Sequence, residues 1–167
     1  MGLLDFFKKR KKVEADFSRE KNLNKILTQG ILFEDINKLL KWGTPVKELA
    51  KLIDVKEKKF ADRTVYNWGE HRILGGLKLE LSTIYWNHRE DSIEKLFTSI
   101  EFSVTGDDEA GKYLSLIGLH LEKKFGPGRH IEGEPDGCFQ WNRENVYITL
   151  IFLQRVANKL QLKIKVG

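Results

Sequence analysis

Histidine and acidic side chains are the residues of this sequence whose types come nearest to a catalytic group. The four histidines are His71, His88, His120 and His130. No two of them have the HxxxH or HExxH spacing of a zinc hydrolase. His88 has the most reactive neighbours, because Glu90 and Asp91 follow it closely and could exchange a proton with it. One alternative is therefore a small hydrolase-like or ligand-binding enzyme with its site near His88.

The lone cysteine and the glycine pairs point away from catalysis. Cys138 follows Asp136 closely, and a nearby carboxylate disfavours the thiolate that a catalytic cysteine needs. A single cysteine also provides neither an internal disulfide nor a cysteine-based zinc site. Gly75-Gly76 precedes a strand and Gly126-Pro127-Gly128 follows a helix, whereas a phosphate loop precedes a helix. We predict no catalytic residue, no metal and no cofactor.

Aromatic, basic and acidic loop residues are the candidates for binding a partner. Trp, Tyr and Arg are the residue types that anchor protein interfaces. They occur together where an alternating segment runs into the polar loop 87–95, and a second polar loop spans residues 128–137. The predicted partner-binding residues are Tyr85, Trp86, His88, Arg89, Glu132 and Glu134.

The positive charge of the chain is concentrated at its N-terminus. The 167 residues include 29 basic and 24 acidic ones, a net charge of +5. Residues 1–12 contain five basic residues and one acidic residue, so they carry four of these five charges. The remainder is nearly neutral, which argues against nucleic-acid binding by the folded part. We predict a basic tail over residues 1–17 and a single α+β domain over residues 18–167.

The tail suggests a further alternative. Leu3, Leu4, Phe6 and Phe7 precede a basic run, a pattern that could contact an anionic membrane surface. A secretory signal has its charges before the apolar run, so the order here is wrong for secretion. An adaptor that binds a membrane or nucleic acid through residues 1–12 stays open, with the cytoplasm as the expected compartment.

Hydrophobic periodicity predicts both helices and strands. Apolar residues at helical spacing predict helices over 18–29, 34–41, 44–53 and 108–125. Alternating or continuous apolar runs predict strands over 63–68, 71–74, 77–86, 96–104, 138–141, 146–153 and 160–166. The alternation of 77–86 changes phase near Ser82 and Thr83, which predicts a bulge there.

The element order repeats within the chain. Tyr66-Asn67-Trp68 with Ile73 matches Phe139-Gln140-Trp141 with Val146, and each group follows a helix and a loop. Short connections favour antiparallel neighbours. We predict one antiparallel sheet of about six strands with helices on one face, made of two similar helix-β-β-β halves. Trp68 and Trp141 would be core aromatics of the two halves.

The C-terminal half resembles a known class of small proteins. A helix ending in Lys123-Lys124-Phe125-Gly126-Pro127, a polar loop, Phe139-Gln140-Trp141 and an apolar strand are similar to small bacterial immunity proteins. These proteins are cytoplasmic antitoxins of polymorphic toxin systems. The resemblance covers residues 105–167, with an echo in 44–104, and implies a non-enzymatic protein that binds and blocks a toxin. Such proteins are often acidic, and this chain is not.

Overall fold

The structure contains three helices and ten strands in the part of the chain that it describes. This computed structural model describes residues 17–86, 94–132, 137–154 and 158–167, and only the backbone of residues 17–21. The helices are α1 (Phe17–Gln29), α2 (Val46–Leu49) and α3 (Asp107–Phe125). The strands are β1 (Gly30–Phe33), β2 (Lys38–Lys41), β3 (Lys56–Lys59), β4 (Arg63–Ile73), β5 (Leu77–Trp86), β6 (Ser99–Thr105), β7 (Arg129–His130), β8 (Cys138–Arg143), β9 (Val146–Leu153) and β10 (Lys159–Val166).

Eight of these strands form one antiparallel sheet in the order β3-β4-β5-β6-β10-β9-β8-β7, and β1 pairs with β2 separately. The α+β class with an antiparallel sheet is confirmed, whereas the expected number of about six strands is wrong. The edge strands β3 and β7 were missed because β3 consists of four exposed charged residues and β7 has two residues. Neither edge therefore has the alternation that identifies a strand.

The helix predicted over residues 34–41 is a β-hairpin turn and strand. Ile31 of β1 pairs with Leu40 of β2, and both side chains are 1% exposed. The turn between the strands includes Asn37 at a φ of 51°, a conformation that asparagine adopts more readily than most residues. Ile36, whose spacing suggested a helical face, is 42% exposed. Pairing with β1 thus decides the structure of this segment.

Two irregularities also differ from the prediction. Residues 63–73 form one continuous strand, β4, and the register shift lies between Asn67 and Gly69. The partner strand β5 keeps its phase, because Thr83 is 1% exposed and follows Leu81 on the core face. The bulge is therefore in β4, opposite the predicted position. The predicted third helix is also shorter, since α2 ends at Leu49 and turns follow it.

The large sheet consists of two four-stranded meanders that meet at β6 and β10. From one edge the order is β3 to β6, and from the other it is β7 to β10. One row of cross-strand partners, here called the central row, crosses every strand. It reads Lys56, Asn67, Ser82, Glu101, Lys163, Thr149, Gln140 and Arg129. Counted inward from either edge of the sheet, the four side chains of this row are a basic residue, an amide, a hydroxyl and a charged residue. An approximate two-fold axis therefore passes between Glu101 and Lys163.

This axis relates Trp68 to Trp141. Each tryptophan follows the amide residue of the central row on the second strand of its meander. The exposed fractions are 1% and 4%, so the prediction of core aromatics is confirmed. The halves differ in their helices, because α3 has 19 residues and α2 has four.

The core lies between one face of the large sheet and the layer formed by the helices and the β1-β2 pair. Trp68 donates an Nε1 hydrogen bond of 2.9 Å to Thr83 Oγ1, and Thr83 donates one of 2.9 Å to the Ser99 carbonyl. This chain of bonds links β4, β5 and β6. In the other half, Trp141 Nε1 donates to the Gly126 carbonyl at 2.8 Å and fixes the C-terminal end of α3.

Candidate partner-binding surface

The sheet face opposite the core, here called the outer face, has no described helix packed on it. Side chains alternate along a strand, so residues of the central row and those two positions away lie on this face. On β10, Lys159, Lys163 and Lys165 alternate with the buried Leu160, Leu162 and Ile164. The lysines therefore point to the outer face.

Among the charged side chains that the other strands add to the same face, basic ones outnumber acidic ones. Cross-strand pairing places Lys56 and Lys58 of β3 beside Asn67 and Val65. The remaining basic residues of the outer face are Arg63, Arg72, Lys78 and Arg129, and its acidic residues are Glu70, Glu80 and Glu101. Nine basic against three acidic side chains give this face a formal charge of +6.

The rest of the chain compensates for this charge. The whole protein carries +5, of which residues 1–12 hold +4, so all residues outside the tail and the outer face together carry −5. The near-neutral total for residues 13–167 therefore hides a separation of charge. Such a separation produces a local potential that a count along the sequence does not show.

An exposed aromatic and guanidinium group lies at one corner of the outer face. Arg63 and Trp86 are cross-strand partners on β4 and β5. The Arg63 Cζ atom lies 5.4 Å from the Trp86 ring centroid and 4.7 Å from that of Phe60. Trp86 is 56% exposed and Phe60 is 37% exposed. We call these three residues the Arg63 cluster. Sequence reasoning found Trp86 but missed Arg63, since only the register places it opposite Trp86.

The neighbouring Tyr85 faces the other side of the sheet. Its hydroxyl donates a hydrogen bond to the Leu96 carbonyl, and its ring meets the Tyr66 ring edge-on at 5.8 Å. Burial and the nearby Tyr66 raise the pKa of the Tyr85 phenol well above its ordinary value. Tyr85 therefore holds the segment that leads to β6, and Trp86 is the exposed residue of the pair.

The structure does not bring all the predicted partner-binding residues together. Glu132 is exposed and follows β7, the edge strand that is five strands away from β5. At a strand spacing of about 4.8 Å, this separates Glu132 from Trp86 by roughly 24 Å. His88, Arg89 and Glu134 lie outside the described residues.

Glu101 lies at the centre of the outer face, yet it is only 7% exposed. Gln161 Nε2 donates a hydrogen bond of 3.3 Å to its carboxylate. Burial raises the pKa of Glu101, and the positive charges of Lys163 and Lys159 and the bond from Gln161 reduce that rise. The outer face thus has a carboxylate among lysines at its symmetry centre.

His71 has the geometry of a structural link. Its Nδ1 lies 2.8 Å from Asp35 Oδ2, and its Nε2 lies 2.9 Å from the Trp68 carbonyl oxygen. Both partners are acceptors, so both bonds form when both ring nitrogens carry a proton. The ring also stacks on Phe33 at a centroid distance of 4.1 Å. His71 therefore fastens the β1-β2 turn to β4 and has no ring nitrogen free for proton transfer.

Asp35 completes this link from the turn. Burial of its carboxyl opposes ionisation, but hydrogen bonds from the Arg72 backbone N–H and from His71, with the charge of His71, lower the pKa below 3.8.

An open groove of about 610 Å³ lies beside the link, with Ile36, Leu52 and Glu80 among its lining residues. Ile36 and Leu52 are 42% and 62% exposed.

His120 and Cys138 are also engaged in the fold. His120 Nε2 is 2.7 Å from the Leu74 carbonyl oxygen, and burial lowers the pKa of this histidine. Cys138 is buried. Within residues 17–86, 94–132, 137–154 and 158–167, no group of three or more His, Cys, Asp or Glu side chains could hold a metal ion.

Comparison of the chain with known protein families, curated proteins and solved structures finds no match. Of the helices in the described ranges, none is both long and apolar enough to cross a membrane.

Proposed function

We propose that this protein is a non-enzymatic immunity protein, which binds a cognate toxin and blocks it. The observation that carries the proposal is the exposed Arg63 cluster. Large aromatic side chains are costly to leave in water, and Trp and Arg are the residues most often found as interface anchors. Trp86 exposes more than half of its surface while the guanidinium of Arg63 stacks against it.

The hydrogen bonds of two of the three described histidines, His71 and His120, support a binding role. His71 is held by Asp35 and by the Trp68 carbonyl, and His120 contacts the Leu74 carbonyl. A general base needs a ring nitrogen within reach of substrate. The geometry of these two histidines therefore favours a structural role for both.

The two alternatives rest on other parts of the chain. The enzyme hypothesis depends on His88 with Glu90 or Asp91, and the adaptor hypothesis depends on residues 1–12. All of these lie outside the described residues, so both hypotheses stay predictions. A steep salt dependence of liposome or RNA binding that disappears on deletion of residues 1–12 would support the adaptor.

The proposal is tested by co-expressing the protein with the product of the neighbouring gene. We expect a stable complex on size-exclusion chromatography and rescue of growth from the toxicity of that product. Trp86→Ala should weaken the complex by about tenfold or more, as loss of an interface anchor does. Leu116→Ala is the matched control, because Leu116 on α3 is 53% exposed and lies outside the cluster.

Two outcomes would contradict the proposal. One is a neighbouring product that is neither toxic nor bound. The other is a complex that Trp86→Ala and Leu116→Ala weaken equally, since the Arg63 cluster would then have no special part in binding. Circular dichroism of both variants verifies that neither substitution unfolds the protein.

A further inference from the structure

We propose that the outer face is the docking surface for an acidic protein surface, so that the toxin presents carboxylates where it meets β3, β5 and β10. This inference rests on the proposed function and adds the chemistry of the partner. Its basis is charge complementarity, since the outer face carries nine basic and three acidic side chains.

The three lysines of β10 lie along one line on this surface. Lys163 and Lys165 lie about 6.7 Å apart on a central strand, and Lys159 lies about 13 Å from Lys163 on the same face, with Gln161 between them. Their Cβ atoms are therefore spaced along a line by the backbone. A row of carboxylates on a partner would meet three cations without requiring the protein to change shape.

The Arg63 cluster continues this surface at its corner. Arg63 and Trp86 belong to the outer face, and Phe60 lies beside them. The surface thus combines an aromatic anchor at one end with a basic field over the sheet. Charged fields of this kind guide association, and anchors slow dissociation.

The pattern favours an acidic protein over a nucleic acid. Glu101 stands at the centre of the face, and Glu70 and Glu80 stand on β4 and β5, where a phosphate backbone crossing the sheet would meet them. Sheets that bind single strands present aromatic rings on their central strands for base stacking. On β6 and β10 the described outer residues are Ser, Thr, Glu, Gln and Lys.

Neutral hydrogen-bonding residues give the face its specificity for protein groups. Asn67 with Ser82, and Thr149 with Gln140, form two neutral pairs between the charged residues of the central row. Amide and hydroxyl groups both donate and accept, so they fit the mixed polar groups of a protein surface. A uniform polyanion would leave their donor and acceptor capacity partly unused.

The experiment reverses two charges on the face and two elsewhere. Lys159→Glu with Lys165→Glu changes two exposed lysines of β10, and Lys47→Glu with Lys51→Glu changes two exposed lysines at α2, outside the large sheet. Both pairs alter the net charge equally and keep the basic tail. The full-length proteins are titrated with poly-L-glutamate and, separately, with a single-stranded oligothymidine.

We expect poly-L-glutamate to bind the unchanged protein, and binding to weaken with added salt. The β10 pair should weaken it by about tenfold, because screened Coulomb interactions act mainly within one Debye length. The α2 pair should weaken it by less than about threefold for the same reason. Equal losses in both pairs, or no binding at all, would overturn the inference.

The oligothymidine arm decides between the two classes of partner. If this probe binds as tightly as poly-L-glutamate and the β10 pair abolishes it, the face binds nucleic acid and the inference is wrong. A complex with the neighbouring product that tolerates the β10 pair also contradicts the inference but leaves the proposed function intact. If the β10 pair weakens polyglutamate binding but no complex with the neighbouring product forms, the proposed function is contradicted and the basic face is supported.

Discussion

Two buried polar residues near the junction of the meanders have opposite effects on stability. The Thr83 hydroxyl accepts from Trp68 and donates to Ser99, so its bonds offset the cost of burial. Glu101 has one hydrogen bond, from Gln161, and is 7% exposed. Its ionised form is therefore poorly compensated in the folded protein, which is consistent with its raised pKa.

Replacing Glu101 by glutamine should stabilise the protein in a pH-dependent way. A carboxyl whose pKa is higher in the folded state than its ordinary 4.5 binds protons more tightly when folded. Stability is therefore lost as the pH rises through 4.5 towards the raised pKa. We expect Glu101→Gln to be more stable than the unchanged protein at neutral pH, and this advantage to shrink in acid. Urea unfolding over a series of pH values measures it.

A second carboxylate of the outer face provides the control. Glu80 is exposed on β5 and accepts a hydrogen bond of 3.2 Å from Asn67. Glu80→Gln removes the same charge from the same face without removing a buried carboxylate. An advantage of Glu101→Gln that is constant with pH, or equal to that of Glu80→Gln, would contradict the assigned role of burial.

Among the elements, the long ones were predictable and the short ones were not. α3 was expected over 108–125 and spans Asp107–Phe125, because an acidic start, a helical stripe and Gly126-Pro127 agree. The strand predicted over 146–153 also has these bounds. By contrast, β1 and β2 have four residues each, and their pairing depends on contacts that no local pattern encodes.

Gly30 allows the close pairing of β1 with β2. A Cβ added at this glycine would lie 2.1 Å from the Leu40 carbonyl oxygen, a backbone atom that cannot move alone. Gly30→Ala should therefore cost about 2 kcal/mol of unfolding free energy, as overpacking does. Urea unfolding at equilibrium gives the value.

Gly111 is the matched position for this test. It is an exposed glycine within α3, and an added Cβ would meet no atom within 4 Å. Gly111→Ala should raise stability by about 1 kcal/mol, because alanine is the better helix former. If both substitutions change stability in the same direction, the close approach of the Leu40 carbonyl to Gly30 does not explain the effect of Gly30→Ala.

At the scale of the whole molecule, the approximate two-fold axis organises both the core and the outer face. It relates Trp68 to Trp141 in the core, and Glu101 to Lys163 on the outer face. The short match between Tyr66-Asn67-Trp68 and Phe139-Gln140-Trp141 correctly aligned the second strands of the meanders. The added match of Ile73 with Val146 was wrong, because Ile73 ends β4 and Val146 begins β9.

The axis predicts that Glu101 and Lys163 can exchange places. Glu101→Lys alone puts a third lysine beside Lys163 and Lys159, and Lys163→Glu alone puts two carboxylates opposite each other. The double exchange restores one charge of each sign at the axis. We expect it to be more stable than the sum of the single effects by about 1 kcal/mol, a coupling typical of contacting charges. A double-mutant cycle in urea measures this coupling, and additive effects would contradict it.

The candidate surface could be predicted only in part. Trp86 was identified by its residue type, but its stacking with Arg63 depends on the register of β4 and β5. Tyr85 had the same sequence signal as Trp86. The strand directs it to the core side, where its hydroxyl is bound to the Leu96 carbonyl. Residue type alone does not distinguish an anchor of the fold from an anchor for a partner.

The α+β class, the long helices and strands, and the burial of Trp68 and Trp141 were predictable from the amino-acid order, because these depend on local periodicity and on the size of apolar side chains. The total charge also follows directly from composition. The positions of the charges on the folded part depend on strand pairing, which places Lys56, Lys163 and Arg129 in one row although they are distant in sequence. A cross-strand register is a long-range property, and so the outer face emerges only when both meanders are joined.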